Sequence, residues 1–84
     1  VKKNRQLTKK QSQYYHFKSR MMERYGARVT RKTYKDMLES ISTGEAPFIE
    51  RQSNRVTVHM IHYAGKDIPA VYDSKRHSLV TVLV

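Results

Sequence analysis

Residues 55–64 read Arg-Val-Thr-Val-His-Met-Ile-His-Tyr-Ala. Val56, Val58, Met60 and His62 fall on one side of an extended chain, and Thr57, His59, Ile61 and Tyr63 on the other. That period of two, in a β-branched run, is the pattern of a strand. Gly65-Lys66-Asp67 then reads as a turn and Ile68–Tyr72 as a second strand. Pro69 predicts an edge or a bulge there, because proline has no N–H for a ladder. Asp73–Ser78 is a polar turn, and Leu79–Val84 is a last run that is apolar on both faces except at Thr81. Such a run predicts a central strand or one covered on both sides. Before the alternating stretch, Phe48-Ile49-Glu50 is a short strand candidate.

Further upstream the period changes. Tyr14, Phe17, Met21 and Tyr25 recur every three or four residues, which predicts a helix over 11–25. Thr8 and Gln11 have capping-box spacing, so the chain enters the helix near Thr8. Gly26 is placed to end it in a left-handed cap. Thr30 is a good N-cap for a second helix over 31–42, with Tyr34, Met37, Leu38 and Ile41 as its apolar face. Gly44 and Pro47 break that helix. Two helices followed by three or four strands on short turns give an α+β domain. The helices should cover one face of an antiparallel sheet and leave the other partly open. Residues 1–10 are basic and almost without apolar side chains, so they read as a flexible arm ahead of a single domain over 11–84.

The charge is segregated. Residues 1–32 hold eleven Lys and Arg against one acid, Glu23, and residues 33–84 hold six of each sign. The net +10 of this 84-residue chain is therefore the charge of its first 32 residues. A directional positive field attracts and orients a polyanion, so the expected ligand is nucleic acid. There is no cysteine and no apolar run long enough to span a bilayer. The basic start leads into no apolar stretch of a signal peptide. The expectation is a cytoplasmic protein with no membrane partner.

Several constellations bear on chemistry. His16, Arg20 and Arg24 are four apart and stack on one helix face beside the buried stripe. Paired guanidinium groups match phosphate oxygens, with His16 placed to move a proton. The alternative is a solvated basic face in which Glu23 neutralises Arg20. On the strand, Thr57, His59 and Tyr63 share a face that Thr81 could join. Cleavage of RNA without metal needs a base, an acid and cations for the phosphorane. Against that stands ordinary strand polarity. His59 and His62 point to opposite faces and cannot chelate together, so no metal or other cofactor is expected. Candidate nucleic-acid contacts are Lys2, Lys3, Arg5, Lys9 and Lys10 of the arm, with Arg20, Arg24, Arg28 and Arg31.

His16-Phe17-Lys18-Ser19-Arg20-Met21-Met22-Glu23-Arg24 resembles the His-x-x-x-Arg-Met-x-Glu-Arg helix of small bacterial and phage proteins related to the RelE, ParE and BrnT toxins. Val71-Tyr72-Asp73 followed by Leu79-Val80-Thr81-Val82 resembles their closing hairpin. The resemblance implies the barnase–colicin–RelE type of fold, with helices on a twisted antiparallel sheet. It also favours RNA over DNA as the target. It carries over only His16, Arg20, Arg24 and Thr81 as site residues. The leading expectation is an RNA-directed protein acting as a metal-independent endoribonuclease, with His16, His59, Arg20 and Thr81 as its catalytic candidates. The alternative is a non-catalytic phage or mobile-element accessory protein that binds nucleic acid or inhibits a host enzyme. A third option is an interaction protein whose basic end docks on an acidic partner such as an antitoxin.

Overall fold

The computed structural model describes residues 8–83. In chain order they form α1 (Lys9–Tyr25), α2 (Arg31–Ser42), β1 (Phe48–Arg51), β2 (Val56–Tyr63), β3 (Lys66–Asp73) and β4 (Ser78–Val82). The strands make one antiparallel meander in the order β1-β2-β3-β4. The architecture is the expected α+β arrangement, two helices followed by a four-stranded sheet.

Local chemistry sets the helix ends. Thr8 Oγ1 accepts from the Gln11 amide, and Gln11 Oε1 accepts from the Thr8 amide, both at 3.0 Å. This reciprocal box satisfies two donors that have no partner inside the helix. It starts α1 at Lys9, two residues before 11, so Lys9 and Lys10 belong to the first turn rather than to an arm. Lys2, Lys3 and Arg5 lie outside the described residues. Gly26 closes α1 at φ 63°, with its N–H on the Met22 carbonyl at 2.9 Å. Thr30 and Thr33 form the corresponding box for α2.

The core lies between the helices and one sheet face. Phe17 and Met21 of α1, Tyr34 and Met37 of α2, and Ile61, Ile68, Ala70, Tyr72, Leu79 and Val82 of the sheet pack there. Phe17, Met21, Ile68, Leu79 and Val82 are fully buried, and each is worth about 1.5–3 kcal/mol in apolar burial. Cross-strand pairs share a face. Ile61 pairs with Ile68, His59 with Ala70, Thr57 with Tyr72, and Ala70 with Val82. Thr57, His59, Ile61 and Tyr63 therefore lie on the helix side of the sheet, Ile61 buried and the other three partly exposed. Alternation in β2 could not select the covered side, because both of its faces carry apolar residues. The bulk on β3 and β4 selects it.

Two strand positions differ from expectation. β3 is an inner strand, so the edge reading of Pro69 fails, while a register shift does lie two residues on between Val71 and Tyr72; β4 is an edge strand rather than a central one. The Leu83 amide donates to the Pro69 carbonyl at 2.9 Å. In an antiparallel pair the return bond would run from residue 69 to the Leu83 carbonyl, and Pro69 cannot make it. The Tyr25 hydroxyl donates to that carbonyl instead, at 2.5 Å. The missing donor thus falls at the end of the sheet, and a helix side chain replaces it. The edge of β4 is covered in the same way. Arg24 donates to the Val82 carbonyl at 2.5 Å. The buried Tyr34 hydroxyl donates to the Leu79 carbonyl at 3.2 Å and accepts from the Leu79 amide at 2.9 Å. A register shift between Val71 and Tyr72 bends the ladder opposite this point.

Asp73 ties the β3–β4 turn to α1. Its carboxylate accepts from Gln13 Nε2 at 3.2 Å and from the amides of Lys75 and Arg76 at 3.0 and 3.4 Å. Arg55 and Arg76 approach it at 3.6 and 3.4 Å. Burial acts to raise this carboxyl, but the Gln13 hydrogen bond, the two amides and Arg55 together hold it below its ordinary value.

Candidate nucleic-acid interface

The two flanks of α1 do different things. At 100° per residue, Tyr15, Ser19 and Met22 lie on one side of the buried Tyr14–Phe17–Met21 stripe, and Gln13, Arg20 and Arg24 on the other. The second flank runs beside β4, where Gln13 holds Asp73 and Arg24 holds Val82. The first flank opens towards the start of α2.

Between that flank and the 26–30 connection lies a groove of about 650 Å³. Its cations are Lys18, Arg28 and Arg31, and its rings are Tyr14 and Tyr15. The connection is built to present them. Ala27 and Val29 are buried, so the intervening Arg28 and Thr30 emerge into solvent. The Tyr63 hydroxyl donates to the Arg28 carbonyl at 2.5 Å and fastens this loop to β2. Arg31 stands 4.9 Å and Lys18 Nζ 5.6 Å from the centre of the Tyr14 ring. A second cavity of about 260 Å³ shares Tyr14 and Arg31 with the first and extends to Lys10 and Lys35. Neither cavity has a carboxylate in its lining. Among the described residues, Lys18, Arg28 and Arg31 make no ion pair. The first turn of α2 carries no acid either, so its positive dipole end adds to the field. The result is a continuous basic track from Arg28 to Lys10.

The other candidates are dispersed. Arg20 pairs with Glu23 at 3.1 Å, the neutralised alternative weighed from the sequence. Arg24 is spent on Val82. His16 is exposed on α1. His59 lies on β2, with β3 and β4 between it and the flank of α1 that runs beside β4. Its Nε2 lies 2.8 Å from Thr57 Oγ1, and its Nδ1 is buried without a hydrogen-bond partner. Phe48 and Tyr72 meet its ring edge-on, with centroids 5.7 and 5.9 Å away. Burial pushes the imidazole below its ordinary value, and the Ala46 backbone acts in the opposite sense. Thr81 pairs with Val71, and Val71 with Val58, so Thr81 faces the far side of the sheet from His59. His16, Arg20, His59 and Thr81 therefore share no pocket. His62, on that far face, pairs with Asp67 at 2.9 Å. No cluster of three metal-ligating side chains occurs among the described residues.

Arg28, Arg31 and Lys10 are the sequence candidates that lie on the track, while Lys9 is exposed in the first turn of α1. Sequence reasoning missed Lys18, Lys35, Tyr15 and Met22. The available signal was Tyr15 and Met22 at seven-residue spacing, one step round the helix from the buried stripe; both are close to half exposed. No helix among the described residues is long and apolar enough to cross a membrane. No family model matches the chain, and no curated protein or solved structure matches it either.

Proposed function

We propose that the protein is a non-catalytic nucleic-acid-binding module that grips a phosphodiester chain along the α1–α2 face. RNA is the favoured polymer, on the resemblance to RelE-, ParE- and BrnT-type proteins. The observation that carries the reading is the carboxylate-free track with Lys18, Arg28 and Arg31 at its centre. Three unpaired cations beside a helix N-terminus repel one another unless an anion lies among them. Cleavage is the weaker reading. It needs a base, an acid and cations around one phosphate, whereas His16 and Arg20, His59, and Thr81 occupy three separate places.

The test is fluorescence anisotropy of a labelled oligonucleotide at low salt. The triple variant K18Q/R28Q/R31Q should bind at least about tenfold more weakly. Lys66→Gln, an exposed change at the start of β3, should bind like the wild type. Wild-type affinity in the triple variant contradicts the reading.

A further inference from the structure

We infer that the α1–α2 groove selects single-stranded over duplex nucleic acid by stacking an unpaired base on Tyr15; this rests on the nucleic-acid reading above. Tyr15 is an exposed ring beside the groove's three cations, at 45% relative exposure, and Met22 stands at 47% on the same flank. Seven residues separate them, about 10.5 Å along the helix axis. Lys18 and Ser19 lie between them along the helix, and both line the groove. A ring and a thioether thus stand on one wall of the groove, a surface that suits a flat, polarisable base.

The ring is braced before any ligand arrives. Tyr15 meets Tyr14 edge-on at 5.2 Å, Tyr14 meets Tyr34 at 4.7 Å, and Tyr34 meets Phe17 at 5.6 Å. Phe17 is fully buried and Tyr34 is hydrogen-bonded to β4. The exposed ring is therefore the outer member of a packed series that reaches the core. The edge-on contact with Tyr14 favours one placement of the ring. Lys18, one turn from Tyr14, and Arg28 and Arg31 across the groove supply phosphate contacts beside the stacked base. A duplex offers the same phosphates, but its base faces are already stacked on each other. Only an unpaired strand can use the ring and the cations together.

The test compares oligouridylate and oligothymidylate of about 15 nucleotides, within the range of single-strand site sizes, with a duplex of the same length, by anisotropy at low salt. Single strands should bind more tightly than the duplex. Tyr15→Ala should weaken single-strand binding at least about fivefold and leave duplex binding unchanged. Tyr15→Phe should retain single-strand affinity, because the ring and not the hydroxyl does the stacking. Tyr15→Trp should show indole fluorescence quenched by single strands. If Tyr15→Ala changes neither affinity, or lowers both equally while the triple cation variant weakens both, the stacking inference is overturned and the track binds by charge alone. If no polymer associates with the wild type, the underlying reading falls, and the inference with it.

Discussion

His59 sits between the rings of Phe48 and Tyr72, with Thr57 on Nε2 and no partner on Nδ1. Its folded-state value lies below the ordinary 6.5. The unfolded chain therefore takes up this proton first as the pH falls. The associated stability is present above about 6.5 and is lost as the pH drops below it. Urea midpoints measured from pH 7 down to pH 5 should decline in the wild type. His59→Phe, which keeps an aromatic ring in the row and removes the titrating group, should decline less; an equal decline in both would refute this role. Its face was not legible from the sequence, because alternation gives two faces without saying which one a helix covers. The arginine stripe had the same limit. Spacing placed Arg20 and Arg24 on one flank, but the partner of Arg24 is a carbonyl 58 residues away. Lys18 was overlooked because it lies one turn from a tyrosine read only as core.

Helix boundaries were legible where their causes are local. The Thr8–Gln11 box, the Gly26 cap and the Thr30 N-cap act within a few positions and lie at the helix ends they mark, although α1 begins two residues before the expected 11. The order of strands was not, since edge and centre depend on which distant groups complete the ladder. The sequence shows that Pro69 lacks a donor, which predicts an edge or a bulge, but it does not show the distant substitute. Tyr25, 44 positions earlier, is the substitute. This coupling can be measured. Tyr25→Phe should cost about 0.5–1.5 kcal/mol in urea denaturation, the net worth of one hydrogen bond. Pro69→Val restores an N–H opposite Leu83, so in that background Tyr25→Phe should cost less. A double-mutant cycle isolates the interaction. Strictly additive effects would mean that the hydroxyl does not stand in for the proline's missing donor.

At the scale of the molecule, charge among the described residues is sorted by surface. One flank of α2 joins the basic track through Arg31 and Lys35. The other borders a cavity of about 590 Å³ lined in part by Asp36, Glu45 and Asp67. The segregation seen along the sequence thus survives folding, because the excess positive charge of the helices is not neutralised by the sheet's acids. Asp73, the buried acid, is taken by Arg55 and Arg76 from its own half of the chain. On the proposed nucleic-acid reading, this basic face meets the polyanion and binding releases counterions. The most direct measurement is the affinity for a single-stranded oligonucleotide as a function of salt concentration. Log affinity should fall linearly with log salt, with a slope of about −2 or steeper from the three groove cations, and K18Q/R28Q/R31Q should flatten it by about 2. An affinity independent of salt, or a slope the triple variant leaves unchanged, would contradict the account.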